Sequence, residues 1–203
     1  MTATANHPKP RILAVVGLAG TGKSTAVELL RQRLGGSVVY FGGIVLDEVR
    51  RRGMATVEAN ERRVREELRR DGGMGAIATL AVPVIESALR DTGPDSIGLI
   101  DGLYSGAELD VLRSAFGDSI QCLAVHCRRS IRERRVARRP VRPLTPAELL
   151  ERDITEIRAL DKATPIALAD YHVVNDGTLE ELAAALDAAV SQLRADPERP
   201  GGQ

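Results

Sequence analysis

The sequence of 203 residues is poor in aromatic side chains and has no excess of either charge. Phe, Trp and Tyr together make up 2% of it, and tryptophan is absent. Few side chains are therefore available to stack on the bases of single-stranded nucleic acid. With 28 basic and 28 acidic residues the formal net charge is zero, which disfavours bulk attraction to nucleic acid or to a membrane surface. We expect no nucleic-acid partner.

Long apolar runs and a secretory signal are missing as well. No apolar run approaches the roughly 18 residues that a membrane-spanning helix needs. Pro8 and Pro10 lie in a short polar segment at the start of the sequence. We therefore expect a cytoplasmic protein without a membrane partner, in which residues 1–10 form a disordered leader.

Cysteine is scarce, and its two positions do not form a metal-binding pattern. Cys122 and Cys127 lie on or beside an apolar segment, SIQCLAVHC. A metal site would need further cysteine or histidine residues at ligand spacing. Both cysteines are expected to be buried free thiols.

The most informative stretch is RILAVVGLAGTGKSTAVELL. From Ile12 to Val16 it is apolar and mostly β-branched, which is typical of a strand covered on both faces of a parallel sheet. After Thr25 the apolar residues recur at helical spacing. The intervening GLAGTGKS fits the pattern G-x-x-x-x-G-K-[ST], which begins at Gly17 and ends at Ser24.

That pattern indicates a phosphate-binding loop (P-loop). Glycines let backbone N–H groups approach a polyphosphate closely, and the following helix adds its positive end. We expect Lys23 to reach the β- and γ-phosphates of ATP and Ser24 to ligate Mg²⁺. The alternative is a glycine-rich turn without a ligand, which the strand before and the helix after the motif disfavour. The predicted nucleotide-binding residues of this segment are Gly17, Leu18, Ala19, Gly20, Thr21, Gly22, Lys23, Ser24 and Thr25.

Strand and helix patterns alternate along the rest of the chain. This alternation predicts a three-layer α/β fold, with a five-stranded parallel sheet and helices on both of its faces. Predicted strands are Ile12–Val16, Ser37–Phe41, Ser96–Ile100, Ile120–His126 and His172–Val174. We expect a single domain over 11–194 and a flexible tail over 195–203. Two charged insertions, at about 42–90 and 128–164, are expected to bind an acceptor and to form a lid, respectively.

Asp101 follows the third predicted strand, in SIGLIDGLYS. Open α/β sheets bind ligands at this end of their strands, so Asp101 is a candidate Mg²⁺ ligand and catalytic residue. The alternative is an ordinary Asp-Gly turn.

Arginines are concentrated in the second insertion. Arg128, Arg132, Arg135 and Arg139 share one face if the segment HCRRSIRERRVARRP is helical. Guanidinium groups stabilise the charge of a phosphoryl group in transfer, so Arg135 and Arg139 are candidate catalytic residues. A solvated basic face is the alternative. In the first insertion most arginines alternate with glutamates, and Arg65 is our candidate for binding the phosphate of the acceptor.

Together, the P-loop, Asp101-Gly102 and the arginine lid resemble the P-loop nucleoside-monophosphate kinases, and DGLYS is similar to the DGFPR turn of adenylate kinases. Tyr104 and Ser105 replace its Pro-Arg, so the arginine that grips the acceptor there has no counterpart. Over nearly the whole chain, the sequence resembles AAA-type, dephospho-CoA-kinase-like P-loop ATPases. The similar segments are DGLYS, VRPLT, ERDITEI, DKATPIALADY and VNDGTLEEL.

The second resemblance implies roles for further residues. It implies that the lid is lined by Arg135, Arg139, Arg142, Arg152 and Asp153, with Arg152 as a catalytic candidate. It also implies that Lys162, Asp170 and Asn175 lie near the nucleotide, Asn175 as a binding residue.

The resemblance also bears on the acceptor. Dephospho-CoA kinases carry, just after the second strand, an Asp that serves as the general base for their hydroxyl acceptor; this sequence has Gly42 and Gly43 there. A phosphate acceptor needs no such base. We therefore expect a kinase that uses ATP and Mg²⁺ and acts on a nucleotide-like acceptor. The acceptor is expected to be a nucleoside monophosphate and not dephospho-CoA, unless Asp47 or Asp101 serves as the general base. The alternative is a regulatory ATPase without a small-molecule acceptor.

Overall fold

A computed structural model describes residues 11–93 and 96–195 of the chain. The predicted leader at 1–10 lies outside the described residues, as does the predicted tail from 196 onward. Ala195, assigned to the tail from sequence, is the last residue of the final helix.

A parallel sheet forms the centre of the molecule. Within the described residues it has five strands: β1 (Arg11–Val16), β2 (Gly35–Tyr40), β3 (Ile97–Asp101), β4 (Ile120–His126) and β5 (Tyr171–Val174). Their spatial order is β2-β3-β1-β4-β5, and every neighbouring pair is parallel. The central strand β1 is flanked on both sides, which explains why its sequence is continuously apolar.

Helices cover both faces of this sheet. The described residues contain nine α-helices: α1 (Lys23–Leu34), α2 (Phe41–Arg51), α3 (Glu58–Gly72), α4 (Ala76–Arg90), α5 (Gly106–Phe116), α6 (Arg129–Ala137), α7 (Pro146–Arg158), α8 (Ala163–Ala167) and α9 (Leu179–Ala195). Leu13 and Val15 of β1 share one hydrophobic core with α1 and α9. Ile12, Ala14 and Val16 share the other with α2, α4 and α5. The predicted three-layer fold with its five-stranded sheet is confirmed.

Several strand boundaries differ from the sequence prediction by one or two residues, and one short helix was not predicted. Phe41 begins α2 instead of ending the second strand, because its side chain, 2% exposed, packs into the core with α2 and α4. The short helix α8 was not predicted, since five residues are too few for a periodic pattern.

The two predicted insertions consist mainly of helices. The first contains α2, α3 and α4, and the second contains α6 and α7. In the described ranges no single helix is long and apolar enough to cross a membrane. One pair of consecutive helices, Glu58–Gly72 and Ala76–Arg90, is long and apolar enough when the two are taken together, by length and composition only, and the pair is bent by 99°.

Candidate functional site

The P-loop connects the end of β1 to the start of α1 at the carboxyl edge of the sheet. Gly17, Gly20 and Gly22 all have positive φ angles, of 146°, 83° and 92°. A Cβ atom on Gly17 would lie 2.5 Å from the backbone oxygen of Val125, on the neighbouring strand β4. Glycine is therefore required at this position both by conformation and by space.

Lys23 lies at the first position of α1 with its ammonium group folded over the loop. Its Nζ donates to the backbone oxygen of Leu18 at 2.9 Å. Burial, and next the positive charge of Lys162, lower the pKa of Lys23 to about 7. Ser24 and Thr25 follow on the same turn, and both are exposed. A polyanion placed here would meet backbone N–H groups, the helix N-terminus and a lysine that forms no ion pair among the described residues.

Asp101 ends β3 beside the strand that leads into the P-loop. It is paired in register with Val15 of β1 and with Tyr40 of β2. Partial burial raises the pKa of Asp101, whereas the charges of Lys23 and Lys162 act in the opposite direction. No hydrogen bond occupies the Asp101 carboxylate within the residues that the structure describes. Its oxygens are available to a cation or to a substrate.

Two tyrosine rings lie beside Gly102, one from Tyr104 in the turn after Asp101 and one from Tyr40 at the end of β2. A Cβ atom on Gly102 would lie 3.6 Å from a ring atom of Tyr104 and 3.6 Å from a ring atom of Tyr40. Tyr40 is 53% exposed, so its ring lines the rim of the site. The backbone N–H of Tyr104 donates to Glu108 at 2.6 Å, which fixes the turn to the start of α5.

The arginines of α6 do not share one role, contrary to the single basic face that their spacing predicted. Arg139 precedes Pro140, a position that disfavours helical backbone, and α6 already ends at Ala137. Arg128 is exposed and pairs with Asp176 at 2.9 Å.

Arg132, in contrast, is buried and connects α6 and α7 to the P-loop. Its Nε donates to the backbone oxygen of Ala19 at 2.7 Å, and its Nη2 donates to Asp153 of α7 at 2.6 Å. Ala19, Val136 and Leu149 form a small hydrophobic cluster beside this pair. Helices α6 and α7 are thus packed against the P-loop in this structure.

Arg135 and Asn175 also meet at the P-loop. The guanidinium of Arg135 donates to the backbone oxygen of Asn175 at 2.9 Å and to its side-chain oxygen at 3.3 Å. Asn175 in turn donates from Nδ2 to the backbone oxygen of Thr21 at 2.8 Å. The structure therefore places both residues at the nucleotide loop, where Arg135 is engaged with protein atoms.

Two other predicted arginines, Arg152 and Arg139, lie near the space between Lys23 and the tyrosines. Arg152 of α7 donates from Nε to Glu156 at 2.8 Å. Arg139 is partly buried near Arg152, Glu156 and Tyr104, which act on it electrostatically, and desolvation lowers its pKa. Arg142 lies elsewhere, paired with Glu58 at the start of α3.

Arg65 lies on α3, facing Tyr104. Arg62, Arg63 and Arg70 of this helix form ion pairs with acidic residues of the same helix. Arg69 lies 3.6 Å from the buried Glu108. Arg65 has no ion pair among the described residues, and it is close enough to influence the charge state of Tyr104.

Two other expectations were wrong. Asp170 precedes β5, and its carboxylate accepts the N–H of Cys122 at 2.8 Å, so it lies at the opposite end of that strand from Asn175. Cys127 is partly exposed because it follows the end of β4, whereas Cys122 is buried. Asp47, a possible base, is exposed on α2 and pairs with Arg50 at 2.8 Å.

Sequence reasoning did not identify Glu156. It lies one helical turn after Arg152, but this spacing is also typical of exposed pairs on any helix. In the structure, Glu156 is 4% exposed and contacts both Arg152 and Lys162.

The fold and the site define a P-loop kinase-like α/β protein, and comparison with known proteins agrees. A family model described as an AAA domain matches residues 16–151. The chain is 36% identical over 176 residues to a UPF0200 protein of Aeropyrum pernix, covering 86% of this chain and 89% of that one. A UPF0200/UPF0201 protein of Archaeoglobus fulgidus is 33% identical over 93% of this chain, which spans 57% of that relative. The chain belongs to the UPF0200 family of AAA-domain proteins.

Solved structures share the fold at lower sequence identity. TT1252 from Thermus thermophilus superposes with a TM-score of 0.60 at 22% identity, covering 91% of this chain and 98% of that chain. A gluconokinase from Sinorhizobium meliloti gives 0.56 at 15% identity, covering 91% and 93%. A shikimate kinase from Bacteroides thetaiotaomicron gives 0.56 at 14% identity, covering 91% and 98%.

Proposed function

We propose that this chain is a phosphotransferase that moves the γ-phosphoryl group of ATP to a nucleotide-like acceptor. The single observation that carries this function is the juxtaposition of the P-loop lysine, the Asp101 carboxylate at the strand edge, and arginines from both insertions, Arg65 and Arg139, that form no ion pair among the described residues. A loop that only binds nucleotide has no need of the unpaired arginine on the acceptor side. The names of the gluconokinase and the shikimate kinase that share the fold agree with this reaction class.

The donor half of the site is formed by the P-loop. In the proposed complex the loop N–H groups and Lys23 hold the phosphates, which replace the Leu18 oxygen as the partner of the lysine. Thr25, exposed on the first turn of α1, is available as a further phosphate contact. Asn175 holds the loop from the side of β5. ATP is a cytoplasmic metabolite, and a cytoplasmic location is part of the proposal.

The residues fit a magnesium ion that is shared with the phosphates. The Ser24 hydroxyl is exposed, and the Asp101 carboxylate accepts no hydrogen bond within the described residues. Both are hard oxygen ligands, and Mg²⁺ commonly takes one or two from the protein while substrate phosphates and water complete its shell. The described residues contain no cluster of three His, Cys, Asp or Glu side chains for a metal. When bound, the ion would neutralise charge on the phosphates.

The transferring group would be stabilised from the lid. Arg152 and Arg139 both lie within electrostatic range of Tyr104, and their terminal nitrogens have no protein acceptor in the described part of the chain. A phosphoryl group in transfer spreads charge over three oxygens, which planar guanidinium groups match. Arg135 would contribute mainly by holding Asn175 and the loop.

The acceptor half of the site lies between α3 and the turn after β3. Arg65 supplies an unpaired positive charge there, which supports an acceptor that carries an anionic group. The rings of Tyr40 and Tyr104 offer apolar surface to a base or a sugar. An acceptor that reacts through its own phosphate needs no general base. An alcohol would use Asp101, since Asp47 points away into solvent.

An acceptor screen tests the function directly. Purified protein is assayed for ADP release from Mg²⁺-ATP with ribo- and deoxynucleoside monophosphates and with dephospho-CoA, using Lys23→Ala as the blank. Strong stimulation by one acceptor is the expected result. A slow release that no acceptor changes would favour the regulatory ATPase instead.

A matched pair of variants on α3 tests the acceptor half. Arg65→Ala is expected to raise the KM of the stimulating acceptor by about 10- to 100-fold, the loss of one charged hydrogen bond. Arg62→Ala removes an exposed pair on the same helix and should leave that KM unchanged. Equal effects of the two substitutions would remove Arg65 from the site.

A further inference from the structure

Lys162 is the largest of the fully buried side chains in the part of the chain that the structure describes, and it forms an ion pair with Glu156. It lies in the connection between α7 and α8 and is 1% exposed. Its Nζ donates to Glu156 of α7 at 2.7 Å and lies 4.1 Å from the centroid of the Tyr104 ring. Burying a lysine costs free energy because its ammonium group loses its hydration. Its position between α7 and the turn after β3 therefore suggests that it has a function beyond stability.

Glu156 links this lysine to Arg152. One carboxylate oxygen accepts from Lys162, and the other accepts from Nε of Arg152 at 2.8 Å. The Glu156 side chain is 6% exposed, whereas that of Arg152 is 40% exposed. Both terminal nitrogens of Arg152 lack an acceptor within residues 11–93 and 96–195. The arginine is therefore held at Nε and presents its two terminal nitrogens to the site.

The charges explain why the lysine is needed. Without Lys162, the buried Glu156 would have Arg152 as its one close cation, and a carboxylate binds a guanidinium most favourably through two parallel hydrogen bonds. Arg152 would then turn its terminal nitrogens toward Glu156. With Lys162 present, the charge of Glu156 is balanced on the buried side, and the charge of Arg152 remains available to an incoming anion.

Lys162 also lies within electrostatic range of the donor side. Its charge is the largest charge effect on Lys23, and it acts on Asp101 as well. The ion-paired residues Lys162, Glu156 and Arg152 therefore lie next to the place where the P-loop would hold the donor phosphates.

We propose that Lys162 is a positioning residue, which acts through Glu156 to aim Arg152 at the phosphoryl group in transfer. This role rests on the proposed phosphotransferase function. Lys162, in the segment DKATP, would thus affect the reaction without contacting the substrate.

The test compares two ligands that differ in the transferring group. Affinities for Mg²⁺-ADP and for Mg²⁺-ADP with aluminium fluoride, an analogue of the transferring phosphoryl group, are measured by calorimetry. Lys162→Met is expected to weaken binding of the aluminium fluoride complex by about 10- to 100-fold, because a small misplacement of a positioned group costs on this order. Binding of ADP alone should change by less than about 3-fold. Arg158→Met, an exposed change on α7, serves as the matched control and should alter neither affinity.

Double substitutions separate positioning from a merely structural role. In an Arg152→Ala background, Lys162→Met should have no further effect on the aluminium fluoride complex, since its target is gone. Lys162→Met combined with Glu156→Gln should bind that complex better than Lys162→Met alone, because the unbalanced carboxylate has been removed. If Lys162→Met does not fold, Glu156→Gln carries the same comparison with Arg152→Ala.

Failure of this role and failure of the proposed function give different results. The function fails if no acceptor stimulates ADP release by the wild-type chain. The role of Lys162 fails if Lys162→Met weakens both ligands equally, if its effect persists in full without Arg152, or if the wild-type chain binds both ligands equally.

Discussion

The buried pair of Arg132 and Asp153 offers a quantitative test of how α6 and α7 are joined to the P-loop. The two side chains are 7% and 13% exposed, and the guanidinium also donates to Ala19 of the loop. Arg132→Met leaves Asp153 buried without a counter-charge. Breaking such a pair by removing one partner costs about 3–5 kcal/mol. For a domain of this size each kcal/mol lowers Tm by about 2–4 °C, so we expect a loss of about 6–20 °C.

Two further variants determine whether burial is the cause. Arg129→Met makes the same change on the same helix, but removes an exposed pair with Glu133 and should cost at most about 1 kcal/mol. Arg132→Met with Asp153→Leu removes both charges and should recover most of the stability. The free energy of unfolding is measured by urea denaturation for all four chains. A loss for Arg132→Met no larger than that for Arg129→Met, or a double variant less stable than Arg132→Met, would refute the reasoning.

Two other predictions concern titratable groups. Burial lowers the pKa of Lys23 to about 7, below its value of 10.5 in an unfolded chain, so the lysine is mostly neutral at pH 8 without ligand. A bound triphosphate favours the charged form of Lys23, so ATP binding at pH 8 should be accompanied by the uptake of close to one proton. Calorimetry in buffers of different ionisation enthalpy measures this uptake. Uptake that persists in Lys23→Met would contradict the prediction. Burial raises the pKa of Cys122 to about 12, whereas Cys127 is partly exposed. The native protein should show one accessible thiol, and Cys127→Ser should remove it; two equally fast thiols would show that the environment of Cys122 is wrong.

The parts of the structure that were predictable from sequence are those with local causes. The strand before the P-loop, the glycines of the loop and the following helix all lie within Arg11–Leu34, and each has its own sequence signal. Asp101 was placed correctly at the strand edge for the same reason, because an apolar strand ends directly at it.

The parts that were missed depend on contacts between distant segments. Arg132, Arg135 and Arg139 look equivalent in sequence, yet one pairs with Asp153, one binds Asn175 and one remains unpaired. Pro140 separates Arg139 from the helix, but nothing in the local sequence distinguishes Arg132 from Arg135, since their partners lie more than 20 residues away. The buried pair of Lys162 and Glu156 was missed because a charged residue in a polar segment is usually exposed.

Transfer of labelled phosphate tests the central claim most directly. The protein is mixed in excess with ATP labelled at the γ-phosphate, Mg²⁺ and the acceptor that stimulates ADP release most, and the labelled products are separated. We predict that the label moves to the acceptor in the wild-type chain and that Lys23→Ala transfers none. Label found exclusively as inorganic phosphate in the presence of that acceptor would contradict the assignment of this chain as a phosphotransferase.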